Sequence, residues 1–199
     1  MGIDSNKVRM TGENSILRLS ETPEGSLTAE ISHWRVDLSP LGRGHVLFAK
    51  HALGNSAPVI YADNVALARW LQEGIQASLR DTYSGDIPIT EAKFSQSGDA
   101  LTAWTERIES DDEVILLTWY DFSAPILIAS KPYENPEQPQ GVYSVLVPAA
   151  RAQMTVNGQA LPGHAFPTEI AGQPASSCCL ALSETWTIPP DHEWATDAL

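Results

Sequence analysis

Residues 30–51 read EISHWRVDLSPLGRGHVLFAKH, and the fold follows from how this stretch is parsed. Side chains on a strand alternate between two faces. Trp34, Val36 and Leu38 therefore share one face, and Ile31, His33, Arg35 and Asp37 share the other. Residues Ser39–Arg43 place Pro40 and Gly42 between two such runs and read as a hairpin loop. If Leu38 faces Gly44, then Asp37 faces His45, Arg35 faces Leu47, and Trp34 faces Phe48. One face is then apolar, with Trp34, Val36, Val46 and Phe48. The other collects His33, Arg35, Asp37, His45 and His51, three of the five histidines in the chain.

Working outward, the chain reads mostly as strands. The segments are Ile16–Leu19, Leu27–Leu38, His45–His51, Val59–Tyr61, Ile89–Ser95, Leu101–Glu109, Val114–Tyr120, Ile126–Ala129, Val142–Val147, Ala152–Val156 and Cys178–Ser183. Most are rich in β-branched and aromatic residues and end at Gly, Pro, Asn or Asp. Asn157-Gly158 is the strongest turn signal, because both residues accept positive φ. One amphipathic helix is expected over residues 63–80. Leu67, Trp70, Leu71, Ile75, Ser78 and Leu79 lie on one side, and Arg69, Gln72, Glu73, Gln76 and Arg80 on the other. Asp63 or Asn64 can cap it. Consecutive hairpins favour a mainly β (α+β) fold, an antiparallel β-barrel or β-sandwich with the helix on one face or end. Residues 1–12 read as a loose N-terminus, 13–186 as a single β-rich domain, and 187–199 as a loose tail. Residues 133–140, YENPEQPQ, read as a surface loop.

The 199 residues are enough for one sizeable core, and a hydrophobic share of 43% is ordinary for a globular domain. Net charge is −13, and the 12 basic residues are scattered. Such a surface repels phosphate backbones and anionic lipid, so neither nucleic acid nor membrane is an expected partner. The polar start lacks a signal-peptide core, and the cytoplasm is the expected compartment. Cys178 and Cys179 are the only cysteines, and adjacent thiols in an apolar run are expected to be reduced. No metal-ligand spacing, Walker A sequence or G-x-S-x-G elbow occurs. Gly42 and Gly44 begin a G-x-G-x-x-G pattern, but Leu47 stands in the third place. No cofactor and no metal are expected.

Three constellations carry candidate chemistry. The first pairs Asp37 with His45, where a carboxylate would orient an imidazole for general-base work, beside His33 and an Arg35 anion clamp. In this register His33 and His45 stand about 13 Å apart. The second is the hairpin ALTAWTERIESDDEVILLTWYDF, residues 100–122. A turn at Asp111-Asp112 sets Trp104 opposite Trp119 and Glu106 opposite Leu117. Glu106 beside apolar neighbours would have a raised pKa and could act as an acid. The third is His164, in a loop among apolar neighbours. The ordinary alternatives are a solvated sheet face for the first, core tryptophans for the second and an exposed turn for the third.

The resulting expectation is a small-molecule-binding barrel, taken as a cofactor-independent lyase, isomerase or hydratase. Asp37, His45 and Glu106 would be catalytic, and Arg35, His33, Trp104, Trp119 and His164 would bind substrate. A non-catalytic ligand-binding or protein-interaction domain and a carbohydrate-binding or carbohydrate-active sandwich are the alternatives. A homodimer stands open beside a monomer.

Overall fold

Alternation in residues 27–51 is realised as two long strands, Leu27–Leu38 and Gly44–His51. The computed structural model describes residues 8–53, 57–134 and 140–187. In chain order its strands are β1 (Val8–Ser20), β2 (Leu27–Leu38), β3 (Gly44–His51), β4 (Val59–Ala62), β5 (Ile89–Glu91), β6 (Lys93–Gly98), β7 (Ala103–Glu109) and β8 (Val114–Phe122). There follow β9 (Ile126–Ser130), β10 (Gly141–Val156), β11 (Gln159–Ala160), β12 (Pro167–Ile170), β13 (Gln173–Ser176) and β14 (Cys179–Thr187). A 12-stranded sheet runs β5-β4-β3-β2-β1-β14-β10-β8-β7-β6, with β9 and β11 added to β10, while β12 and β13 form a separate hairpin. Within this sheet only β4 with β5 is parallel. The sheet curls into a nearly closed barrel.

Two contacts draw its free ends together. Phe94 of β6 stacks on His33 of β2 and His45 of β3. Tyr61 of β4 donates its hydroxyl to the Glu113 carboxylate in the β7–β8 turn.

Both faces of the β2–β3 pair are buried. Inside the barrel, Leu17, Ile31, Leu47 and Ala49 pack with Ile115, Leu117, Trp119, Met154 and Leu180. Outside it, Trp34, Val46, Phe48 and Ile60 lie under Leu67, Ala68, Leu71 and Ile75 of the helix. The face bearing His33 and Arg35 is therefore the barrel interior, and His33 is only 2% exposed.

The helix, α1, begins as Val65–Leu71, passes through a π-helical turn at Gln72–Gln76 and ends as Ala77–Leu79. Asn64 caps it, its Oδ1 accepting from the Leu67 N–H at 3.1 Å. An unbroken 3.6-residue period turns Gln72 and Gln76 to solvent, whereas here they are 2% and 3% exposed. The wider π turn rotates both inward. Gln72 Nε2 donates to the carbonyls of Tyr83 and Gly85, each at 2.9 Å. Gln76 Oε1 accepts from Trp34 Nε1 at 3.3 Å.

Other boundaries also differ. Strand β1 starts at Val8, inside the stretch read as loose, because Thr11 and Gly12 pair with both β2 and β14. The two segments expected at 142–147 and 152–156 join into one strand, β10, whose first half pairs with β14 and β9 and whose second half pairs with β8. The hairpin β12–β13 was not expected at all. Asn157 and Gly158 do turn with φ of 50° and 79°. Residues 1–7, 135–139 and 188–199, which hold most of the expected loose segments and loop, lie outside the described residues.

Candidate functional site

The β2–β3 register decides what meets what. Arg35 pairs with His45 and His33 with Leu47, and the ladder ends at Val36 opposite Gly44. The expected register is thus displaced by two residues, which keeps every side chain on its face but changes its partners. Asp37 and Leu38 no longer belong to the β3 ladder. Leu38 pairs instead with Thr11 of β1, and a bulge falls between Leu38 and Val36. The β2–β3 connection is correspondingly longer, with Gly42 at φ +83° and its N–H bonded to the Ser39 carbonyl.

This corrects the first constellation. Asp37 does not pair with His45 and is exposed. His33 and His45, expected far apart, stack with ring centroids 6.3 Å apart. Phe94 completes the stack at 5.7 Å from His33 and 5.2 Å from His45.

The carboxylate that holds His45 is Asp63. Its Oδ2 lies 2.7 Å from His45 Nδ1, and its Oδ1 accepts the His45 backbone N–H at 2.6 Å. One carboxylate thereby grips the ring and backbone of the same residue and selects the Nδ1–H tautomer. The contact depends on Gly44, because a Cβ there would lie 2.8 Å from Asp63 Oδ1 and 2.8 Å from Asn64 Cβ. The missing side chain lets the β4–α1 corner close onto β3. In the sequence Asp63 reads as a helix cap; with Asn64 filling that place, its carboxylate is released to His45.

His45 opens on a cleft of about 830 Å³ at the barrel rim, lined also by Arg35, Asp37, Arg43, Asp63 and Glu91. Beneath the rim lie His33, Glu13 and Glu106. Arg35 forms an ion pair with Glu13 at 2.9 Å, while its Nε is buried without a hydrogen bond. Burial, reinforced by the charges of His45 and Arg35, pushes His33 down to about 3, so its ring is neutral. Its Nε2 is buried and unpartnered.

Glu106 is 3% exposed and accepts from Trp104 Nε1 at 2.7 Å. Burial raises its carboxyl to about 7, against the Trp104 hydrogen bond, with Glu13 raising it and Arg35 lowering it further. Burial also raises Glu13, against the attraction of Arg35. A neutral imidazole, an ion pair and a carboxyl that titrates near neutrality thus share one end of the barrel.

The remaining candidates fall elsewhere. Trp104 faces Trp119 and Glu106 faces Leu117, the register expected of that hairpin. Trp119 is fully buried and donates Nε1 to the Ile16 carbonyl at 2.9 Å, so it offers no platform to a ligand. His164 is exposed and bridges by its backbone to Ser20, the last residue of β1, seven residues beyond Glu13. It does not join the rim site. His51 also faces the interior but lies near Glu113, and burial lowers its pKa. Cys178 and Cys179 are free and buried, and burial pushes their thiols to about 11 and about 12, which leaves them unreactive. Among the described residues no three His, Cys, Asp or Glu side chains converge as metal ligands, and no helix is long and apolar enough to cross a membrane. No family model, curated protein or solved structure matches the chain.

Proposed function

We propose that the protein binds a small hydroxylated carboxylate in the rim cleft and moves a proton on it through His45. The observation that carries this reading is the His45–Asp63 pair at 2.7 Å inside the cleft. With Nδ1 committed to Asp63, Nε2 is the nitrogen left to take a proton from a ligand carbon or hydroxyl. The Asp63 carboxylate stabilises the imidazolium that forms, and the proton returns to the same or a neighbouring atom. No electron transfer is involved, which suits an isomerase, lyase or hydratase. Arg43, exposed and in no ion pair among the described residues, supplies donors for a carboxylate beside the Arg35 guanidinium, which also lines the cleft. Asp37 and Glu91, on the same cleft, accept from ligand hydroxyls.

The test is a thermal-shift panel of small hydroxy- and oxo-carboxylates, followed by proton NMR of the binders in D2O. A member of the panel should raise Tm and exchange a carbon-bound proton for deuterium. His45→Gln should abolish exchange, and Asp63→Asn should slow it by about 100-fold. The reading fails if no carboxylate raises Tm, or if exchange survives His45→Gln.

Binding without turnover is the second reading. It is favoured by the filled interior, where Leu117, Trp119 and Met154 are fully buried. It gives the Tm rise without deuterium uptake.

A further inference from the structure

A second recess, of about 470 Å³, lies on the outer face of the barrel. The end of α1 walls it on one side with Gln76 and Leu79; β9 and the β12–β13 hairpin wall it on the other with Ile128 and Ile170. Strands β1, β2, β10 and β14 make its floor. The lining is mainly hydrocarbon, but its depth is not.

Asn14, Ser32, Gln76, Ser144 and Glu184 all reach it and are each less than 9% exposed. Ser32 Oγ donates to Asn14 Oδ1 at 3.0 Å, and Trp34 Nε1 to Gln76 Oε1 at 3.3 Å. Trp186 Nε1 donates to Glu184 Oε1 at 2.8 Å. Asn14 and Gln76 thus spend their carbonyl oxygens and keep their amide N–H groups available. Ser144 Oγ is buried beside the Glu184 carboxyl.

Burial pushes the Glu184 carboxyl above its ordinary range, against the nearby donors Ser144 and Trp186. The deep end therefore offers the neutral groups of Asn14, Ser32, Gln76 and Ser144 beside one buried carboxyl, and no cationic side chain. The charged groups lie at the mouth, where Arg80 Nε and Arg18 Nε stand 3.0 Å and 3.8 Å from the same oxygen of Glu30. A ligand's carboxylate sent into this depth would lose its water and find no cation, whereas a neutral polar group could be fully hydrogen-bonded.

We propose that this recess is a second binding site, for an apolar molecule of medium chain length that carries one uncharged carbonyl, amide or hydroxyl group. The hydrocarbon lies along Ile16, Ile128, Val142 and Leu146, and the polar group meets Ser144, Asn14 and Glu184. The site shares no lining residue with the rim cleft.

The probes are octanamide and octanoate, titrated into isotope-labelled protein at about pH 8, where octanoate is an anion. Octanamide should saturate and move the amide signals of Asn14, Ser144 and Glu184 and the Trp186 indole signal. Octanoate should bind at least about tenfold more weakly. Ile128→Trp, which fills the recess from the edge strand β9, should weaken octanamide by about tenfold or more; Leu79→Trp serves the same end from the helix should the first variant not fold. Asp63→Asn should leave octanamide binding unchanged, which separates this site from the rim. Absence of saturation, octanoate binding as tightly as octanamide, shifts centred on His45 and Asp63, or indifference to the blocking tryptophan would each overturn the proposal.

Discussion

Asp63 stands one residue before the helix cap, and its carboxylate has a choice between helix N–H groups and the neighbouring strand. Asn64 takes the Leu67 N–H, so Asp63 turns to His45 and spans both its ring and its backbone. Glu106 shows the opposite condition, a carboxyl whose one named donor is the Trp104 indole. The folded state holds its proton up to about 7, while the unfolded chain releases it near the ordinary glutamate value of 4.5. Between those limits the folded state binds more protons, so this residue lowers stability as pH rises. Glu106→Gln removes the linkage and keeps an acceptor for Trp104. The variant should be more stable than wild type above neutrality, by roughly 3 kcal/mol at about pH 8, and close to it at about pH 4.5. Urea unfolding at both pH values checks this, and a constant difference would place the proton elsewhere. His33 acts in the other sense. Its ring is neutral when folded and the unfolded chain protonates near 6.5, so its contribution to stability is lost as pH falls below that value.

Among the elements, those governed by local periodicity were legible in the sequence and those governed by a partner were not. Strands β2 and β3 announce themselves through alternation, and Asn157-Gly158 through the φ its turn requires. The register between β2 and β3 was not legible. A displacement of two residues leaves each side chain on its face, and alternation cannot distinguish the two pairings. The bulge at Asp37 and the close approach of Gly44 to Asp63 settle it, and both are tertiary. The same holds for α1, where a regular helix would point Gln72 and Gln76 at water. The π turn exists because Gln72 ties two loop carbonyls to the helix. Gln72→Leu leaves the Tyr83 and Gly85 carbonyls without this donor and should cost about 1–3 kcal/mol, read as a lower urea midpoint at unchanged slope. A cost under about 0.5 kcal/mol would mean that water replaces the amide. The candidate site was legible in its residue types, His, Arg and Glu on one face, but not in its pairing. Asp63 reads as a cap until β4 folds back.

For the molecule as a whole, closure of the barrel rests on contacts between its two ends rather than on a continuous ladder. Phe94 bridges β6 to both histidines, and Tyr61 bridges β4 to the β7–β8 turn. Phe94→Ala should therefore do two things at once. It should lower stability by up to about 3 kcal/mol, since the ring is only partly buried. It should also free the His33 and His45 rings, visible as faster hydrogen exchange along Lys93–Gly98 than along Leu27–Leu38. Uniform acceleration of both strands would show that the seam is not a separate unit. The order of the sheet has a consequence in time as well. Strand β1 lies between β2 and β14, so the first described strand is flanked by the last. On a ribosome adding 5–20 residues per second, β1 is exposed along one edge for roughly 10–30 s before residues 179–187 exist to cover it. That edge must therefore be guarded against edge-to-edge aggregation until β14 is made, and the barrel can close only after residues 179–187 have been synthesised.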